Sequence, residues 1–124
     1  MKLLLDTHVV LRWPTDDRRL GREARRAIAT ADIVWVSAAS GWEVAIKAAL
    51  GRISLDEKFH VTIRADDFTE LPVALVHADR LAELEPHHSD PFDRLLAAQA
   101  LVEGATLVTH DRALEPYGVP VIWT

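Results

Sequence analysis

Four carboxylates in this sequence stand where one metal-ion chemistry could use them together. Asp6 ends the apolar run "KLLLD", Glu43 lies early in "SAASGWEVAIKAAL", Asp93 is the second aspartate of "SDPFDRLLAAQA", and Asp111 follows "TLVTH". Each also has an ordinary structural reading. Asp6 could cap a loop, and Asp111 could belong to a turn. Ser40 and Glu43 have capping-box spacing, with Lys47 four residues on as an ion-pair partner. Asp90 precedes Pro91, which suits a first helical position, so Asp90 is the natural N-cap. Asp93 is then left in the first turn, where a carboxylate favours the helix dipole.

The joint argument is stronger than any single one, because the four acids come from four separate elements. "KLLLD" and "IVWVS" read as buried parallel strands, the second ending on Ser37. Between them "DDRRLGREARRAIA" places Leu20, Ala24, Ala27 and Ile28 at helical spacing. After Ser37, the residues Trp42, Ala45, Ile46, Ala49 and Leu50 mark one apolar face of a helix that Gly51 closes. "DEKFHVTIRADDF" predicts another helix, "LPVAL" a short or edge strand because of Pro72, and "ADRLAELE" a helix stopped by Pro86. A helix from Pro91 to about Glu103 follows, with Gly104 beyond its end, and then the strands "TLVTHD" and "VPVIW".

Alternating strands and helices predict an α/β fold with a parallel sheet covered on both faces. Ligands of such sheets bind at the carboxyl ends of the strands. Asp6, Ser37, Thr109 and Asp111 fall at strand ends, and a helix leading back into a strand begins at that same edge, which brings in Glu43 and Asp93. Unit charges about 4 Å apart repel by about 4 kcal/mol at an effective dielectric of 20, so four such groups stay ionised only with a cation among them. Mg²⁺ or Mn²⁺ suits the donor set, since either takes carboxylate oxygens and leaves room for phosphate. The chemistry expected is in-line displacement at a phosphate, with a water made more acidic by the ion and oriented by an acidic side chain. Thr7, Ser37 and Thr109 stand ready to hydrogen-bond the ligands or the phosphate.

Composition sets the outer limits. At 124 residues, 49% hydrophobic and 27% charged, the chain is expected to be a single domain spanning 1–124 with a substantial core. No apolar run approaches the ~20 residues of a membrane span, no signal-peptide order opens the chain, and Cys is absent, so the cytoplasm is the expected location and thiolate ligation is excluded. A net charge of −5 argues against a basic nucleic-acid-coating module. Locally, six arginines between Arg12 and Arg26 face Asp16, Asp17 and Glu23; this segment reads first as a solvated helix face and second as a polyanion-docking surface. The adjacent His87 and His88 read as surface residues, while His8, His60, His77 and His110 show no metal-ligand spacing in sequence. The four tryptophans read as packing residues. No glycine-rich phosphate loop or nucleophile elbow is present.

The segments "LLLDTHVV", "SAASGWEVAIKAALGRISL", "HHSDPFDRLLAAQA" and "LVTHD", in this order, resemble the PIN-domain ribonucleases, and among them the VapC-type toxins of toxin–antitoxin pairs. The resemblance runs nearly end to end and includes the "LPV…HA" segment. It implies an α/β/α sandwich, a catalytic and metal-binding set of Asp6, Glu43, Asp93 and Asp111 with Asp90 as an additional acid, and Mg²⁺ or Mn²⁺ as cofactor. It also implies an RNA substrate, a homodimer and a cognate antitoxin that blocks the site. Two rivals share the doubly wound outline. A phospho-receiver would need paired acids after the first strand, where Thr7 follows Asp6, and a lysine after the last strand, where "VIWT" has none. A phosphatase of the haloacid dehalogenase kind would want an aspartate where His8 stands. A non-catalytic interaction module would keep the acids only as caps.

Overall fold

Leu3, Leu4 and Leu5 are wholly buried, and because successive strand residues face opposite ways, they feed two separate cores. In the computed structural model, which describes residues 1–15, 17–87 and 90–124, this strand is β1, Lys2–Leu5. It is followed by α1 (Thr7–Arg12), two 3₁₀ turns (Trp13–Thr15 and Arg18–Leu20), α2 (Gly21–Thr30), β2 (Ile33–Ser37), α3 (Ala38–Ala49), α4 (Phe59–Ala65) and β3 (Thr69–Leu71). The chain then forms α5 (Leu75–Glu83), α6 (Pro91–Glu103), β4 (Thr106–Thr109), a 3₁₀ turn (Arg112–Tyr117) and β5 (Val121–Trp123).

All strand pairs are parallel, and the order is β3-β2-β1-β4-β5. One core gathers Leu3, Leu5, Val34, Val36 and Val108 under Val9, Leu20, Ala24, Ile28 and Ile63 of α1, α2, α4 and the turn before α2. The other gathers Leu4 and Leu107 under Leu96, Ala97 and Ala100 of α6, with Leu114 and Tyr117 of the last 3₁₀ turn. The result is the expected α/β/α sandwich. Its order differs from the 2-1-3-4-5 order of flavodoxin-like sheets, which removes the receiver reading. The order reverses between β1 and β4, making the crevice beyond their carboxyl ends the ligand-binding position of such a sheet.

α6 begins and ends by the devices its sequence announces. Asp90 accepts from the Phe92 N–H at 2.9 Å, Pro91 occupies the first turn, and Gly104 closes the helix in the left-handed region at φ 66°. It is fastened to α5 by a buried polar group. His77 Nδ1 accepts the Ala74 N–H at 2.9 Å, so its Nε2–H donates to Glu103 at 2.7 Å, while the Gln99 amide donates to the Pro72 carbonyl at 3.3 Å.

Several sequence expectations shift. "THVVL" forms the unanticipated helix α1, because Asp6 caps it. The edge strand is Thr69–Leu71 rather than "LPVAL"; Pro72 cannot donate to a ladder and ends it, and α5 starts earlier, at Leu75. The helix read over "DEKFHVTIRADDF" is confined to Phe59–Ala65, and the last strand starts at Val121. Ser37, not Ser40, caps α3, accepting from the Ala39 N–H at 3.0 Å. The apolar face of α3 does not enter a core: Trp42 is 64% and Leu50 61% exposed, while Ala39, Ser40, Glu43 and Val44 face inward. Asp16, His88 and Ser89 lie outside the described residues, so the expectations resting on Asp16 and His88 do too.

Candidate active site

The end of β1 delivers Asp6 to the crevice, where it is 3% exposed. Its Oδ1 caps α1 by accepting the Val9 N–H at 3.0 Å. Its Oδ2 accepts the hydroxyl proton of Thr109, the last residue of β4. The pairing of Leu5 with Val108 puts these two positions side by side, and the Asp6 N–H donates to the Val108 carbonyl at 3.0 Å. Among the described residues no Lys or Arg pairs with Asp6; the nearest nitrogen base is His110, with Nδ1 4.0 Å from Oδ2. A buried carboxylate in that position calls for a cation.

Thr7 ties the second acid to the first. Its hydroxyl lies 2.7 Å from Glu43 Oε1 and 2.9 Å from Ser40 Oγ. With one proton to give, it donates to the carboxylate, which can only accept, and receives the proton of Ser40. Glu43 is buried, and its Oε2 pairs with Lys47 at 3.1 Å as the spacing anticipated. Ser37, also buried, is committed to the cap of α3.

Asp111 stands beyond β4, its N–H donating to Thr109 Oγ1 at 3.1 Å and its Oδ1 capping the final 3₁₀ turn through the Ala113 N–H at 3.0 Å. Thr109 therefore touches both Asp6 and Asp111. Asp93 sits half-buried in the first turn of α6. The start of α6 packs on α3, with the Phe92 and Trp42 rings 5.2 Å apart in an edge-on contact. The sequence-predicted residues thus form two bonded groups, Asp6–Thr109–Asp111 and Thr7–Glu43, with Asp90 and Ser37 serving as helix caps.

The structure adds two residues the sequence reading passed over. His8 and His110 meet edge-on with ring centroids 5.2 Å apart, and their nitrogens and an oxygen of Asp6 all lie within 4.8 Å of one another. Linear spacing could not reveal this pair; the adjacency of β1 and β4 creates it. The arginine-rich segment carries a tight Asp17–Arg19 pair at 2.6 Å, and the Arg19 guanidinium holds the Asp17 carboxyl well below the usual carboxylate range. A cleft of about 490 Å³ opens next to Ser37, floored by Phe59, Ile63 and Phe68.

Comparison with known proteins identifies the family. The PIN-domain family matches residues 3–119, and the chain belongs to that family. A relative, ribonuclease VapC22 of Mycobacterium tuberculosis, is 34% identical over 95% of this chain and 93% of its own. Solved structures with the same fold include VapBC2 from Rickettsia felis bound to a DNA fragment (TM-score 0.72, 13% identity, 98% of each chain). VapBC-1 from nontypeable Haemophilus influenzae superposes with a TM-score of 0.68 at 16% identity, covering 99% of this chain and 98% of that one. FitAcB from Neisseria gonorrhoeae gives 0.63 at 23% identity, covering 97% and 96%.

Proposed function

We propose that this chain is a VapC-type endoribonuclease toxin that hydrolyses RNA phosphodiester bonds with Mg²⁺ or Mn²⁺ held by Asp6, Glu43, Asp93 and Asp111. The observation that carries the reading is the buried Asp6 at the strand-order switch point, fixed by Thr109 and left without a Lys or Arg partner among the described residues. The 34% identity to a ribonuclease supports RNA as the substrate.

Carboxylate oxygens suit a hard divalent ion, and hydroxyl donors already orient two of the four acids, Asp6 and Glu43. Such an ion supplies charge stabilisation at the phosphoryl oxygens and a more acidic water. The protein's own part is positional. Thr109 holds Asp6 and Thr7 holds Glu43, so neither carboxylate must be ordered when substrate arrives. Asp93 and Asp111, at the margin of the crevice, orient the attacking water and receive its proton as a new P–O bond forms and the bond to the leaving ribose oxygen breaks. Arg18 and Arg22, exposed on the segment after α1, offer phosphate contacts.

Two partners belong to the same reading. A cognate antitoxin would block the site, and the apolar cleft beside Ser37 suits an apolar anchor from it; the neighbouring VapBC folds support this. A second copy of the chain would cover Trp42, Ile46 and Leu50 of α3. No helix among the described residues is long and apolar enough to cross a membrane. The test is incubation of purified, antitoxin-free protein with a mixed RNA pool and with DNA of matched sequence, in Mg²⁺, Mn²⁺ or EDTA. Metal-dependent cutting of RNA alone supports the assignment; equal cutting of DNA, or cutting in EDTA, refutes it.

A further inference from the structure

His8 and His110 take no part in the carboxylate chemistry, yet the fold presents both of them to Asp6. β1 and β4 lie side by side; one is followed by Asp6-Thr7-His8 and the other ends at Thr109 and continues with His110. Both histidines are exposed, whereas Asp6 is buried and held by two hydrogen bonds. Each Asp6 oxygen accepts one of those bonds and keeps a second lone pair. The three candidate donor atoms lie within 4.8 Å of one another, with His110 Nδ1 4.0 Å from Asp6 Oδ2.

Two imidazoles and one carboxylate are the wrong donors for Mg²⁺ and the right ones for a borderline ion such as Zn²⁺. Zinc–nitrogen and zinc–oxygen bonds of about 2.0–2.1 Å place tetrahedral ligand atoms about 3.3 Å apart. Because both imidazoles are exposed and Asp6 is held by two hydrogen bonds, the closure to that spacing falls on the histidine side chains. The fourth position is then left to water.

We propose that Asp6, His8 and His110 form a Zn²⁺ site separate in its histidines from the four-acid site and sharing Asp6 with it. Zn²⁺ bound there withdraws Asp6 from the Mg²⁺ or Mn²⁺ set and inhibits cleavage. The binding half stands on this geometry alone; the inhibition half rests on the proposed ribonuclease function.

The experiment is calorimetric titration of ZnCl₂ into untagged protein, comparing the parent with His8→Ala, His110→Ala, their double variant and a His60→Ala control. One Zn²⁺ per chain is expected. Loss of either histidine should weaken binding by more than the roughly 10–100-fold that loss of an outer-shell partner costs. His60→Ala should bind as the parent does, and unchanged melting temperatures without metal would show that the variants fold. Co²⁺ in place of Zn²⁺ should give visible absorption that the double variant lacks. Zn²⁺ affinity unaltered in the folded double variant, or no Zn²⁺ binding by the parent, overturns the site. Cleavage is read separately, with and without Zn²⁺, relative to each protein's own Mg²⁺-supported rate. Histidine-dependent Zn²⁺ binding in a protein that never cleaves RNA would leave the site standing and remove the ribonuclease reading. Cleavage by a parent whose Zn²⁺ affinity is unchanged in the folded double variant would do the reverse.

Discussion

Thr109 donates its hydroxyl proton to the buried carboxylate of Asp6, joining the ends of two adjacent strands across 103 residues of chain. The same hydroxyl oxygen accepts the Asp111 N–H at 3.1 Å, so one small side chain sets the positions of two acids. Replacing it with Thr109→Val keeps the shape and removes both bonds. The expected result is a 10–100-fold loss of Mg²⁺ affinity or cleavage rate, as for other outer-shell partners, with Thr109→Ser restoring most of it. A Thr109→Val protein as active as the parent would show that the hydroxyl does not orient the acids.

Asp90 and Asp93 differ in what they hold. Asp90 caps α6, so Asp90→Ala should cost about 1 kcal/mol of stability, read by urea unfolding. Asp93→Asn removes no cap and should cost less metal-free stability than Asp90→Ala while abolishing cleavage. If Asp93→Asn destabilised the fold as much as Asp90→Ala and still cleaved, Asp93 would be structural.

Metal should act on stability as well as rate. Saturation with Mg²⁺ or Mn²⁺ at about 100 times Kd adds about 2.7 kcal/mol to the folded state. Thermal unfolding should show an upward shift in the parent that Asp6→Asn and Glu43→Gln lose. An equal shift in all three proteins would assign the effect to ions bound elsewhere.

Burial and the neighbouring Asp67 push the Asp66 carboxyl above its ordinary value. A carboxyl with a raised folded-state pKa binds its proton more tightly in the folded than in the unfolded protein. The penalty is therefore complete above the raised pKa and is relieved as pH falls through it. Asp66→Asn should raise the melting temperature at pH 7.5, and the gain should shrink as the comparison is repeated toward pH 4. A gain that does not vary with pH would show that the charge is not its cause.

The exposed apolar face of α3 gives a solution-state prediction. Trp42→Glu with Leu50→Glu should convert a dimer to a monomer in light scattering, with the monomer keeping its far-ultraviolet spectrum. A parent that stays monomeric at about 1 mM, where an association of only about 4.1 kcal/mol would already form dimers, would contradict the interface.

Much of the fold was legible in the sequence. Apolar runs ending on Asp6, Ser37 and Thr109 announced parallel strands and the edge at which they end, and the "SDP" start announced α6. What the sequence concealed was three-dimensional. The trio "Trp42, Ile46, Leu50" has core periodicity, but periodicity does not say whether the face meets a core or solvent, and in α3 it meets solvent. Helix α1 was hidden because its cap, Asp6, also reads as the last residue of a strand. The bonds from Thr109 to Asp6 and from Thr7 to Glu43, and the meeting of His8 with His110, depend on strand order, which no linear spacing encodes.

The proposed function requires Asp6, Glu43, Asp93 and Asp111 to act as one metal-dependent site on RNA. Its most direct test is single-turnover RNA cleavage in Mg²⁺ by four folded variants, Asp6→Asn, Glu43→Gln, Asp93→Asn and Asp111→Asn. Each should lose at least about 100-fold in rate, and pairs should lose little more, because groups that act as a unit are not additive. Cleavage at the parental rate by any of the four would contradict a single four-acid site.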